Sequence, residues 1–192
     1  LLKFKKEGKI TQFGFSEISP VSLDKANSVH HVGAIQSEYS LSTRFPELGL
    51  LQKTKKLKTA FIAFSPVGRG LLTDSPHSEE DIQSMDFLKQ IPRFQNPNLA
   101  ANLRITNRFR AFAKSMGKPA ASIAIAWLLQ SSPNIITIPG TRSRKHLQEL
   151  ALGSSIVLSE SELHALNDIL PVGWAHGDRY SQDQWLGPER YC

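Results

Sequence analysis

Cysteine is almost absent from this chain: Cys192 stands alone, which excludes a disulfide framework and a cysteine-built metal cluster. No apolar run approaches the ~18 residues of a membrane-crossing helix. No signal-peptide pattern opens the sequence. An initiator methionine is lacking too, and Leu1–Ile10 reads as the tail of an amphipathic helix stopped by Gly8, which implies further sequence upstream. The setting these absences point to is reducing and cytoplasmic, with no membrane partner. Acidic residues are the minority, 17 against 23 lysines and arginines, for a net charge of +6. That balance raises nucleic acid as a partner. The excess, however, is scattered over Lys3, Lys5, Lys6 and Lys9 and again over Lys53, Lys55, Lys56 and Lys58, with no aromatic-interleaved basic motif. Solvated helix faces account for such runs, and nucleic acid is not expected.

A hydrophobic content of 40% is enough for a buried core. In order, a strand is expected over Thr11–Phe15, then a helix from Ser19 and Pro20 to about His31, with a serine cap and a first-turn proline. Further strands are expected at Ala34–Gln36 and Ala60–Phe64, with a helix over Glu47–Leu57 between them. Strand alternating with helix signals a parallel sheet with crossover connections. The loops after these strands carry Ser16, Gln36, Ser65 and Arg69, where a parallel α/β fold places ligand groups. Residues 73–98 read as a polar, mobile excursion with room for a short helix. Helices follow over Ala100–Ser115 and Ala120–Gln130, the second apolar nearly all round and therefore buried. Ser159 and Glu162 form a capping box for a last helix, with Leu158 and Leu163 at staple positions. The tail over 171–192 shows no periodicity.

The most informative stretch is Ile135 to Ser143 with the helix that follows. Four apolar or β-branched residues before Pro139 suit a strand covered on both faces. Gly140 allows either a conformation that a Cβ would penalise or close approach to a ligand. Ser143 is a candidate helix N-cap, and unpaired amides at a helix start favour an anion. Arg142, Arg144, Lys145 and His146 surround that start. Phosphate is the ligand this combination suits; an ordinary strand–turn–helix with a basic solvated face has the same pattern. The loop Ser65–Leu72 adds two glycines, for close backbone approach, and Arg69.

With Gly-Phe-Ser-Glu at 14–17, Gln-Ser-Glu-Tyr-Ser at 36–40, Phe-Ser-Pro-Val-Gly-Arg-Gly at 64–70 and Ile-Pro-Gly-Thr-Arg at 138–142, the sequence resembles the aldo-keto reductases, in their bacterial-type branch. The resemblance runs from Lys9 to about Leu170. It implies a TIM (β/α)8 barrel that binds NADP(H) and reduces small-molecule carbonyls, residues 1–192 supplying the C-terminal half, strands five to eight, of a single barrel domain. Ser16 and Gln36 match positions that hydrogen-bond the nicotinamide carboxamide, and Phe64 matches the aromatic stacked on its ring. Ser65, Pro66, Val67 and Arg69 match the loop over the pyrophosphate. Gly140, Thr141, Arg142 and His146 match the site for the adenosine phosphates, Arg142 taking the 2′-phosphate, and Glu149 matches an adenine ligand. Glu17 replaces a frequent asparagine, as does Leu150. The family's catalytic tyrosine, lysine, aspartate and histidine belong to the first four βα units, and Tyr39, Tyr180, Tyr191, His30, His31 and His176 do not match them. The partner implied is the missing N-terminal half; the alternative is a non-catalytic NADP(H)-binding module.

Overall fold

The computed structural model describes residues 1–190; Tyr191 and Cys192 lie outside the described residues. Its centre is a four-stranded parallel sheet whose strands pair in chain order: β1 (Gly14–Ser16), β2 (Ala34–Glu38), β3 (Ala60–Phe64) and β4 (Ile135–Thr137). Parallel neighbours need long crossovers. These are made by α2 (Pro20–Val29), by α3 (Leu50–Leu57), and by α4 (Glu79–Gln83), α5 (Asn98–Ser115) and α6 (Ala120–Ser131) together. A five-residue α1 (Leu2–Lys6) precedes the sheet, and α7 (Arg144–Leu152) and α8 (Glu160–Ile169) follow it.

The register divides the two faces of the sheet sharply. Phe15, Ile35, Phe61 and Ile135 align in one row across the strands. Ile35 and Phe61 are fully buried there, against a core that includes Leu23, Phe109, Ile123 and Trp127. Burial of side chains of this size stabilises the fold by ~1.5–3 kcal/mol each. The opposite row is Ser16, Gln36, Ile62 and Ile136, and it is open: Ile136 is 53% exposed, and Ile138 beyond it 45%. The expectation that Ile135–Ile138 is covered on both faces is therefore corrected. A run of four apolar residues marks a strand, but helices here cover only the side carrying Ile135.

Helix starts follow their caps. The Ser22 amide donates to Ser19 Oγ at 3.2 Å, with Pro20 in the first turn. Ser159 and Glu162 form the expected reciprocal box, and Leu158 and Leu163 both pack into the main core. Helix α6 is buried from Ala120 through Leu128, as its unbroken apolar surface requires. The helix expected from Glu47 begins instead at Leu50, because Phe45–Leu48 winds as a 3-10 turn and Gly49 (φ 136°) breaks the path. The excursion over 73–98 carries α4, and its Ile82, Leu88, Ile91 and Phe94 build a second apolar cluster with Leu71 and Leu99. The aperiodic tail is docked by Trp174, whose indole N–H donates to the Leu41 carbonyl at 2.7 Å.

Candidate functional site

At the carboxyl ends of β3 and β4 the chain forms a groove of about 780 Å³. One wall is Phe64 with the loop Ser65, Pro66, Val67 and Arg69; the other is Gly140, Thr141, Arg142 and the first turns of α7, including His146 and Glu149. Thus every site residue expected from the sequence lines this groove except Ser16 and Gln36. Those two face each other in the β1–β2 register, on the open row of the sheet that also carries Ile62 and Ile136.

Local chemistry places these groups. Ser143 caps α7, accepting from the His146 amide, while Thr141 Oγ1 accepts from the Ser143 amide at 3.1 Å. First-turn amides of a helix have no partner within the helix, and those of Arg144 and Lys145 stand at this start, after the Ser143 cap. Arg142, Lys145 and His146 are all exposed beside them, and Lys145 is tied only loosely to Glu149, at 3.8 Å. Of the two reasons for Gly140, the conformational one fails. Its φ is not positive, and nothing lies within 4 Å of where a Cβ would be, so the glycine leaves open space at the groove wall. In the other loop both glycines do admit close neighbours: a Cβ on Gly68 would stand 2.7 Å from Ser42 Oγ, and one on Gly70 2.9 Å from the His77 ring. Thr73, Asp74, Ser75 and His77 of the excursion also line the groove, although no motif announced them.

A buried charge network lies next to this groove. Glu38 Oε2 is 2.6 Å from Arg69 Nη2 and 3.5 Å from Arg179 Nη1, while Glu38 Oε1 accepts from the Thr43 hydroxyl at 3.0 Å. Glu17 Oε2 lies 2.6 Å from Arg179 Nη2, and Glu17 Oε1 accepts from the Glu38 amide at 3.0 Å. The tail thereby returns to the sheet: Arg179 is fully buried, and Tyr180 receives the guanidinium groups of both Arg69 and Arg179 over its ring. Burial, and next the charge on Glu17, push the Tyr180 hydroxyl above its ordinary pKa. Arg69 thus has two sets of neighbours. The residue lines the groove, but its guanidinium is held by Glu38, the Arg179 carbonyl and two aromatic rings, those of Phe87 and Tyr180. Three non-glycine residues at these strand ends have left-handed backbone: Glu17 (φ 55°), Ser65 (φ 50°) and Arg69 (φ 54°). Such conformations cost ~1–3 kcal/mol each and concentrate at functional sites. Asparagine tolerates this region well, and Glu17 occupies it with both carboxylate oxygens engaged.

A four-stranded parallel sheet with crossover helices and a groove at its carboxyl edge places the chain among α/β folds, which carry their sites at the strand ends. The profile of the Aldo/keto reductase family matches residues 1–171, and the chain belongs to that family. Aldo-keto reductase str7 of Strobilurus tenacellus is 34% identical over 177 residues, 91% of this chain and 53% of that protein. Aldo-keto reductase yakc of Schizosaccharomyces pombe, whose name carries NADP(+), is 30% identical over 183 residues, 94% of this chain and 54% of its own length. Among solved structures, the glycerol dehydrogenase AKR11B4 from Gluconobacter oxydans superposes with a TM-score of 0.73 at 29% identity, covering 88% of this chain and 51% of that one. The chain spans about half the length of the relatives it matches.

Proposed function

We propose that this chain is the C-terminal half of a (β/α)8 aldo-keto reductase barrel, and that the complete protein reduces aldehydes or ketones with NADPH. The observation that carries the reading is the single groove gathering Phe64, the Ser65–Arg69 loop and the start of α7. Support for the half-barrel comes from the sheet of four strands with one open face, and from the share of the relatives' length that the chain spans. Support for the cofactor comes from the donor set: hydroxyls, first-turn amides and cations converge on one groove wall, beside the space left by Gly140. A relative named for NADP(+) agrees.

On this reading Ser16 and Gln36 orient the nicotinamide carboxamide and Phe64 lies along the ring. Ser65, Pro66 and Val67 flank the pyrophosphate, with Arg69 joining them if it leaves Glu38. Thr141, Arg142 and His146 hold the adenosine phosphates and Glu149 the adenine. The bound cofactor supplies a hydride to a carbonyl carbon. The proton comes from a tyrosine in the other half, so this chain contributes binding and orientation rather than proton transfer. Incubating the purified complete protein with NADPH and para-nitrobenzaldehyde tests the reading: loss of nicotinamide absorbance is expected. Tight NADPH binding without turnover across a panel of carbonyls would favour the non-catalytic module instead.

A further inference from the structure

A second cavity, of about 420 Å³, shares no lining residue with the cofactor groove. It lies between the segment after β2, the Arg93 turn and the tail, and Arg93, Arg190, Thr43, Phe45, Val172 and Ala175 are among the residues lining it. Arg93 is the unusual group. Its side chain is only 6% exposed, and Nη1 donates to Thr43 Oγ1 at 2.8 Å. Its Nε is buried without a hydrogen-bond partner, and among the described residues no carboxylate lies within ion-pair distance of it. Burial holds this guanidinium below the usual arginine pKa, the more distant Glu38 and Asp178 offsetting part of the effect. A buried charge without a partner is costly, and such charges are ordinarily paired.

The position is also rigid. The Arg93 amide donates to the Asp178 carbonyl, and the Arg93 carbonyl accepts from Asn102 Nδ2 at 3.0 Å. The other charged groups at the cavity are accounted for. Arg44 is held by both carboxylate oxygens of Glu47, while Asp178 accepts from the Arg179 amide and from the Trp185 indole. Arg190, exposed and stacked on Trp185, adds a second cation. Apart from Ser42, Thr43 and two glycines the remaining lining is apolar, and Val172 is 64% exposed there.

We infer that this cavity binds a small organic anion: a carboxylate paired with Arg93 and Arg190, carried on an apolar or aromatic body. Its volume falls in the range of ordinary small-molecule sites, which combine apolar walls with a few placed polar groups. The planar fork of a guanidinium matches a carboxylate.

The test uses the complete protein, with para-fluorobenzoate as probe and para-fluorobenzamide as its uncharged match, both followed by fluorine NMR titration with and without saturating NADPH. Expected are binding of the benzoate whether or not NADPH is present, at least about tenfold weaker binding of the amide (~1.4 kcal/mol), and a several-fold loss in Arg190→Ala. Arg93→Gln should abolish binding; if that variant does not fold, the exposed Arg190→Ala decides. No benzoate binding, equal affinity for acid and amide, displacement by NADPH, or unchanged affinity in Arg190→Ala would each overturn the inference. NADPH affinity, read separately by nicotinamide fluorescence, keeps this outcome independent of the cofactor assignment.

Discussion

Arg179 Nη2 lies 2.6 Å from Glu17 Oε2, joining an aperiodic tail to the end of the first strand across a separation of most of the chain. Arg179 has no solvent exposure, and the Glu17 side chain is 8% exposed. Replacing Arg179 by methionine strands the Glu17 carboxylate in a poorly hydrated place and removes one of Glu38's cations. Breaking a buried pair in this way costs ~3–5 kcal/mol. The expected result is a large fall in the urea midpoint of the complete protein, partly restored in Arg179→Met combined with Glu17→Gln. Equal midpoints for wild type and Arg179→Met would remove the network from the account of stability.

The tail also has an acid-sensitive contact. Glu189 Oε2 accepts from the Ser19 amide at 2.9 Å, at the start of α2. Hydrogen bonds from Ser19, chiefly from its side chain and then from that of Ser22, hold the Glu189 carboxyl below its ordinary pKa. A depressed folded-state value means that the stabilisation is present above the unfolded pKa, about 4.3, and is lost as pH falls through the folded value. Wild type should therefore exceed Glu189→Gln in urea midpoint near neutrality, and the gap should close below about pH 4. A gap that persists unchanged into acid would assign the difference to shape rather than charge.

The open row of the sheet bears on the isolated chain. Ile62 and Ile136 align across β3 and β4 on the uncovered face, and β1 and β4 are the edge strands of the described sheet. Unpaired edges beside apolar surface promote association. The chain purified alone should elute as dimers or larger species and bind a hydrophobic dye. A monodisperse monomer with one sharp thermal transition would count against the half-barrel.

How far the sequence carried depended on the range of the interaction. β3 matches its expected span of Ala60–Phe64, and α8 starts at its capping box, because alternation and capping act within a few residues. The groove was legible for the same reason: Ser65–Arg69 and Gly140–His146 are local motifs, and each loop leaves the end of a strand. β1 was drawn too long, Thr11 and Gln12 being exposed although Phe13 still accepts from the Gly33 amide. What local pattern could not reveal is pairing at a distance. Arg179 sits in a stretch without periodicity, and nothing near it announces Glu17 or Glu38. The occupation of Arg69 by Glu38 was hidden likewise, and so was the inward turn of Arg93.

The groove wall formed by α7 is probed by cofactor choice. Arg142 is exposed beside the Ser143 cap, and Thr141 and Lys145 line the same groove. A 2′-phosphate there would meet a guanidinium, a hydroxyl and the positive end of a helix. Charge-assisted hydrogen bonds are worth about 1.5–3 kcal/mol, and ~1.4 kcal/mol is a factor of ten in affinity. Fluorescence titration of the complete protein should show NADPH bound at least about tenfold more tightly than NADH, with Arg142→Ala removing most of that gap while NADH affinity barely changes. An NADPH/NADH affinity ratio that is the same in wild type and Arg142→Ala would contradict the assignment of this groove to the cofactor's phosphate.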